Sequence, residues 1–134
     1  MTDEARNGTV VGVIGLGNAG YAVASAFAKL SPVHGFDLNG DKCTSASQGG
    51  IITHGQFGAF AAAIDVAILS LPHPDISLAV TGQLLDLEKR PKLIIDTSTV
   101  TPQTAIDCAN LASAYGVGFV DAAIAGGVAS MADG

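Results

Sequence analysis

A chain of 134 residues with 49% hydrophobic and 13% charged side chains has the size and composition of one globular domain. Its net charge of −6 and its lack of a basic patch argue against a nucleic-acid partner, since phosphates are neutralised by clustered lysine and arginine. Residues 1–8 are polar and acidic, which predicts a tail without a signal or transit peptide before a domain at 9–134. Glycines and polar residues interrupt both long uncharged runs, so no membrane span is predicted.

Cysteines and histidines show no spacing typical of metal ligands. Cys43 and Cys108 fall in separate predicted helices, and His34 and His54 are isolated in the sequence, so no metal site is predicted. Thiols expected to stay reduced indicate a cytoplasmic protein. His73 stands between two prolines and is interpreted as a surface-loop residue, in preference to an acid or base that polarises a carbonyl.

The first strand, turn and helix carry the pattern of a dinucleotide-binding unit. An apolar run at residues 10–14 leads into the spacing G-x-G-x-x-G. Gly15 permits a sharp turn, Gly17 lets a pyrophosphate approach the backbone, and Gly20 lets the helix lie close to the strand. The pyrophosphate would rest on the helix N-terminus, where free N–H groups and the helix dipole favour an anion. The helix is predicted to bury Ala19, Val23, Ala26, Phe27 and Leu30.

A second short strand ends at Asp37, 17 residues after Gly20. A carboxylate in this position is expected to accept hydrogen bonds from both ribose hydroxyls of adenosine. The alternative interpretation is a tight turn between strand and helix that binds no ligand.

The rest of the chain alternates between helical and strand patterns. Further strands are predicted at residues 51–53, 66–69, 93–95 and 117–120. Helices are predicted from an Asn39 cap to about Gln48, around residues 57–64, at Ile76, Val80, Leu84 and Leu87, and from Thr101-Pro102, where Ala105, Ile106, Ala109 and Ala112 would be buried. This alternation predicts an α/β fold, a Rossmann-type doubly wound parallel sheet of about six strands in the order 3-2-1-4-5-6.

Four loops follow the carboxyl ends of these strands, where open parallel sheets bind ligands. They read GLGNAG, SLPHP, DTSTV and DAAIAGG. The first is predicted to hold pyrophosphate. The second and third would flank the nicotinamide ribose, with Thr99 offering a hydroxyl, and the glycines of the fourth would let a substrate approach. Asp96 and Asp121, at strand ends, are expected to cap the turns that follow.

These loops, in this order, resemble those of the β-hydroxyacid dehydrogenase family, the 3-hydroxyisobutyrate dehydrogenase-like proteins. The resemblance rests on VGVIGLGNAG, LSLPHP, IIDTSTVTP and FVDAAIAGG and extends over residues 10–134. It implies NAD(P)-dependent oxidation of a short 3-hydroxy acid to a semialdehyde or keto acid. It assigns substrate contacts to Ala125, Gly126 and Gly127, and cofactor contacts to Gly15, Leu16, Gly17, Asn18, Ala19, Gly20, Asp37, Leu71, Pro72 and Thr99.

The chain departs from the family pattern in its fourth loop and in its extent. Ala125 replaces a serine that holds the substrate carboxylate, and Ala123 replaces a proline. The lost hydroxyl contributes roughly 1–3 kcal/mol, so another carbonyl or an imine substrate is an alternative. The catalytic lysine of the family lies beyond Gly134, so no catalytic residue is predicted here. The chain is interpreted as the cofactor domain of a truncated or partial protein, whose exposed apolar surface favours self-association.

Asp37 also bears on the choice of cofactor. A 2′-phosphate about 4 Å away would be repelled by roughly 1–4 kcal/mol, and no arginine follows at Leu38 or Asn39, so NAD is preferred over NADP. Two functions outside the dehydrogenase class stay open, a non-catalytic NAD-binding module and a methyltransferase. The spacing at Gly20 and the two later loops count against the methyltransferase.

Overall fold

The structure is a computed structural model that describes residues 8–124. Strands and helices alternate along the chain, as β1 (Val11–Ile14), α1 (Asn18–Ala28), β2 (Val33–Phe36), α2 (Gly40–Gln48), β3 (Ile52–Thr53), α3 (Phe57–Ala63), β4 (Val66–Leu69), α4 (Pro74–Leu85), β5 (Leu93–Asp96), α5 (Pro102–Ala114) and β6 (Gly118–Asp121). The six strands form one parallel sheet in the order β3-β2-β1-β4-β5-β6. The predicted fold and strand order are confirmed.

Helices cover both faces of the sheet, and this explains the wholly apolar strands. Successive side chains of a strand point to opposite faces, so Val13 and Ile14 enter different clusters. Val13 packs with Ala24 of α1 and Ala46 of α2. Ile14 belongs to the cluster that contains residues of α3, α4 and α5, including Phe60, Leu84, Leu85 and Ala112.

The switch point of the sheet lies between β1 and β4. These central strands are paired along their whole length, from Val11 opposite Val66 to Ile14 opposite Leu69. The chain leaves β1 for α1 on one face and leaves β4 for α4 on the other. The two departing loops therefore separate, and a cleft forms between them at the carboxyl edge of the sheet.

The predicted buried faces of α1 and α5 are partly wrong. In α1 the buried residues are Gly20, Ala22 and Ala24, whereas Phe27 is 36% and Leu30 85% exposed. In α5 the buried residues are Cys108 and Ala112, whereas Ile106 is 52% exposed. Both helices bury mainly small side chains completely, whereas Val23 and Leu111 are only partly buried against the core and Phe27 and Ile106 lie toward the solvent.

The predicted helix starts agree better with the structure than the predicted buried faces do. The Asn39 side chain accepts hydrogen bonds from the N–H groups of Asp41 and Lys42, and the Thr101 hydroxyl accepts one from Thr104 at 3.1 Å, which confirms both predicted caps. Helix α4 begins directly at Pro74 and ends at Leu85, so Leu87 lies outside it.

Within residues 8–124, every helix is too short or too polar to cross a bilayer.

Candidate dinucleotide site

The glycine turn after β1 is shaped by two positions that exclude a side chain. Gly15 has a φ of +96°, which favours glycine, and a Cβ there would overlap the carbonyl oxygen of Ser70. A Cβ on Gly20 would overlap the carbonyl oxygen of Gly15, so the first turn of α1 lies directly on the loop. These two glycines are required by packing.

Gly17 is different, because a side chain there would enter open space. The nearest described atom to an added Cβ is Lys42 Nζ, at 4.0 Å. Gly17 is the N-cap of α1, with φ −68° and ψ −170°, and no side chain of residues 8–124 caps this helix. The first N–H groups of α1 thus keep free donors at the positive end of the helix dipole. A group with the chemistry of a phosphate fits this cradle.

Asp37 is held rigidly beside this cradle. Its Oδ2 accepts the N–H of Leu16 and its Oδ1 accepts the N–H of Asn39, both at 2.8 Å. Each carboxylate oxygen has a second lone pair, and the side chain is partly exposed, so it can still accept hydroxyl groups. The two backbone bonds fix the side chain in the orientation that a ribose would meet.

A cleft of about 560 Å³ opens between the loops after β1 and β4. Its apolar walls come from α3, α4 and β2, and Asp37 and Lys42 supply charge. The predicted cofactor residues that line it are Gly15, Gly17, Asn18, Ala19, Asp37, Leu71 and Pro72. Leu16 is buried and lines an adjoining cavity of about 320 Å³, Gly20 packs under the turn, and Thr99 is exposed on the next loop.

The loops after β4 and β5 are joined by side-chain hydrogen bonds. The N–H of Leu71 donates to Ser98 Oγ at 2.7 Å, and the N–H of Ser98 donates to Asp96 Oδ1 at 2.9 Å. The Thr97 hydroxyl donates to the carbonyl of Leu69 at 2.7 Å. Asp96 therefore caps its turn as predicted, while the bond from Leu71 to Ser98 is a tertiary contact that sequence spacing could not reveal.

Lys42 is a site residue that the sequence interpretation missed. It lines both the main cleft and the adjoining cavity, whose other polar residues include Asn18, Asn39 and Asp41. The available signal was its place in the first turn of α2, which Asn39 caps. A cation thus lies near the glycine turn and Asp37, where the adenosine end of a dinucleotide would bind.

His34 and His54 are not isolated, which corrects the prediction from sequence. Nδ1 of His34 lies 2.8 Å from Nε2 of His54, and the rings stack with centroids 5.1 Å apart. They meet because β2 and β3 pair in parallel with His34 opposite Ile52, which brings the residue after β3 alongside. Burial, and then the charge of His54, lower the pKa of His34.

The remaining candidate residues lie apart from the cleft or outside the described region. His73 is exposed at the N-cap of α4, as expected for a surface-loop histidine. Ala125, Gly126 and Gly127 lie outside the described residues. Their contacts with a substrate stay a prediction.

The parallel sheet, the glycine turn beneath an uncapped helix and the fixed carboxylate after β2 define a dinucleotide-binding domain of the Rossmann type. Residues 10–134 match the family model for the NAD binding domain of 6-phosphogluconate dehydrogenase, and the chain belongs to this family.

Known relatives are hydroxyacid dehydrogenases and similar proteins, which confirms the resemblance found in the sequence. Mitochondrial 3-hydroxyisobutyrate dehydrogenase of Drosophila melanogaster is 30% identical over 120 residues, 88% of this chain and 37% of that protein. The structure of Mycobacterium tuberculosis 3-hydroxyisobutyrate dehydrogenase with L-serine has 28% identity and a TM-score of 0.86 over 92% of this chain and 43% of that one. Psf3, in complex with NADP+ and 2-OPP, has 25% identity and a TM-score of 0.74 over 90% and 44%. The chain spans about two fifths of the length of these relatives.

Proposed function

We propose that this domain binds NAD in the cleft between the loops after β1 and β4. The observation that carries the proposal is the open cradle at Gly17, where space, free helix N–H groups and Asp37 converge. A tight turn that binds nothing would need only the two glycines required by packing, Gly15 and Gly20. The open space at Gly17 has no such packing reason, and Asp37, which holds the turn through two backbone N–H groups, keeps acceptor capacity toward the cleft.

Each part of the cleft has a distinct task in this proposal. The first N–H groups of α1 hold the pyrophosphate, and Asp37 accepts the adenosine ribose hydroxyls. Apolar side chains of the cleft, including Leu71 and Pro72, shelter the cofactor from water. The bound nicotinamide supplies a hydride acceptor for oxidation of a short 3-hydroxy acid. Thr99 would face the reacting end, and the resemblance to the family assigns the substrate to Ala125, Gly126 and Gly127.

We propose dehydrogenase activity only for a protein like these relatives, in which residues outside the cofactor domain contribute to the active site. The lysines of this chain are Lys29, Lys42, Lys89 and Lys92, and none lies in a motif that matches the family's catalytic lysine. For these 134 residues alone we propose cofactor binding. A non-catalytic NAD-binding module is the second candidate, because the cradle at Gly17 and the Asp37 carboxylate would bind the cofactor in the same way. Another carbonyl or an imine is the alternative substrate, because Ala125 lacks the hydroxyl of the family loop.

Two side chains oppose each other in the choice between NAD and NADP. Asp37 favours NAD, since a 2′-phosphate about 4 Å away would be repelled by roughly 1–4 kcal/mol. Lys42 lies at the same end of the cleft and would attract that phosphate. We infer that NAD is preferred because Asp37 is fixed by two backbone bonds, whereas a lysine ammonium on a long stem is mobile.

A single substitution separates binding from folding. Gly17→Ala introduces a methyl group into open space, so the melting temperature should stay within about 2 °C, while the NADH dissociation constant rises at least about tenfold. Titration by NADH fluorescence and a thermal melt measure both. Gly58→Ala, in α3 and outside the cleft, is the matched control and should leave NADH binding unchanged. Equal NADH affinity in Gly17→Ala and the unaltered chain would contradict the proposed site.

A further inference from the structure

Three polar side chains are completely buried between the sheet and the helices α4 and α5. Ser77, Thr81 and Asp96 each have an exposure of 0%. Ser77 Oγ, Thr81 Oγ1 and Asp96 Oδ2 have no hydrogen-bond partner among residues 8–124. Buried polar atoms are rarely left in this state, because water satisfied them before folding.

The three side chains belong to one layer of the structure. Asp96 is two residues after Ile94 on β5, so it points to the same face, toward the cluster that contains Leu84 of α4 and Ala112 of α5. Ser77 and Thr81 are four residues apart on the buried side of α4. Their carboxylate and hydroxyl groups therefore converge from β5 and α4.

Cys108 of α5 is also completely buried, on the face of its helix that carries Ala112. Burial raises the pKa of its thiol, while the Thr81 hydroxyl beside it lowers that pKa and the Asp96 carboxylate raises it. The Thr81 hydroxyl lies beside this thiol, but it has no hydrogen bond of good geometry among residues 8–124 and can still donate to or accept from another group.

Direct protein bonds do not satisfy this group of atoms. Among the described residues, Asp96 has one internal partner, the N–H of Ser98 on Oδ1, and its second oxygen has none. A buried water needs roughly two to four polar partners, and these side chains offer one strong acceptor and two hydroxyls that can donate or accept.

We propose that a single water molecule is bound between α4, α5 and β5, donating to Asp96 Oδ2 and bonding the hydroxyls of Ser77 and Thr81. Its site depends only on the interior of the domain and is independent of the proposed cofactor function. The water holds Asp96, Asp96 holds the N–H of Ser98, and Ser98 holds the N–H of Leu71. The water therefore stabilises the loops after β4 and β5 from the interior of the domain.

A crystal structure of the whole chain at a resolution that shows ordered water tests the proposal directly. We expect density within about 3.2 Å of Asp96 Oδ2 and of at least one of the two hydroxyls. A direct hydrogen bond from Ser77 or Thr81 to Asp96 with no density between them would overturn the proposal. So would density at the shorter distances of a bound cation.

Magnetic relaxation dispersion of water nuclei tests it in solution. The unaltered chain should hold one more long-lived water than the double variant Ser77→Ala/Thr81→Val. Thr44→Val removes an exposed hydroxyl on α2 and should leave the count unchanged. An equal count in the unaltered chain and the double variant would refute the site.

Amide hydrogen exchange tests the bracing of the loops. The N–H groups of Ser98 and Leu71 should exchange at least about tenfold faster in the double variant, while those of β1 should keep their rates. Unchanged exchange at both loop amides would overturn the bracing. If the double variant does not fold, the crystal structure of the unaltered chain decides on the water alone.

Discussion

Nδ1 of His34 and Nε2 of His54 lie 2.8 Å apart, at the outer edge of the sheet where β2 and β3 pair. A hydrogen bond of this kind needs one nitrogen with a free lone pair, so at least one ring must be neutral. The stacked rings would repel each other if both were protonated. The stability of this edge of the sheet should therefore depend on pH.

Acid should destabilise the domain through this pair. Burial, and then the charge of His54, lower the pKa of His34 from its ordinary value of 6.5. Below about pH 6.5 the unfolded chain therefore binds more protons than the native one, and stability falls as the pH falls toward the lowered native pKa. Above that pH the contribution is complete. Urea unfolding at pH 8, 7, 6 and 5 measures the slope.

The double variant His34→Gln/His54→Gln should lose the part of the pH dependence that lies below about 6.5. His73→Gln removes an exposed histidine from the start of α4 and should keep the dependence of the unaltered chain. Equal slopes for the double variant and the unaltered chain between pH 6.5 and 5 would show that the histidine pair contributes nothing.

Gly20 and Gly58 provide a pair of opposite glycine substitutions. Gly20→Ala places a methyl group against the carbonyl of Gly15 and should cost at least about 3 kcal/mol of unfolding free energy. Gly58→Ala lies in α3, where an added Cβ meets no atom of the described part of the chain within 4 Å, and should stabilise by about 0.5–1 kcal/mol. Denaturant melts measure both. A stable, unaltered Gly20→Ala protein would contradict the close contact of α1 with the turn.

Asp37 and Lys42 should shift cofactor preference in opposite directions. Asp37→Asn removes the charge that repels a 2′-phosphate and should lower the ratio of NADPH to NADH dissociation constants by about tenfold or more. Lys42→Ala removes the attracting charge and should raise the ratio. Lys29→Ala, an exposed lysine at the end of α1, controls for loss of net charge. Equal ratios in all four proteins, measured by fluorescence titration, would rule out both roles.

Ser98 and Thr99 are neighbours with separable roles. Ser98→Ala leaves the partly buried N–H of Leu71 without its partner and should cost about 1–3 kcal/mol of unfolding free energy. Thr99 is exposed and its hydroxyl has no bond within the described residues, so Thr99→Ala should keep stability within about 0.5 kcal/mol. Any loss in Thr99→Ala should appear in NADH affinity. A melt that ranks the two variants in the reverse order would disprove this division.

The sequence was sufficient for the architecture because the apolar runs, turn glycines and helix caps each point to the same local structure. The strand order followed from the rules for parallel sheets. Helix faces were harder, since an apolar residue such as Phe27 or Ile106 satisfies the same periodicity as the alanines that are in fact buried. The helices pack closely on the sheet, so small side chains are buried at the contact. A hydrophobicity pattern does not encode the distance between a helix and the sheet.

Parts of the site depend on contacts between distant segments. Lys42 reaches the glycine turn only when α2 lies beside α1, and His34 meets His54 only when β2 and β3 pair. The bond from Leu71 to Ser98 joins loops 27 residues apart. Spacing along the chain carries no signal for such pairs. Gly17 and Asp37 could be predicted because one continuous strand-turn-helix-strand unit holds both.

The central position of β1 has a consequence for how the protein acquires its structure. On one side β1 pairs with β2, which follows it closely in the chain, and on the other side it pairs with the more distant β4. Just before β1, the N–H of Val10 bonds to Asp65 across 55 residues of chain. The entropic cost of closing that loop arises before the contact contributes any stability. On a ribosome, β1 would emerge long before β4 and would stay half paired until then. We expect the nascent chain to expose the unpaired backbone N–H and C=O groups of one edge of β1 during this interval, when a chaperone would protect it from aggregation.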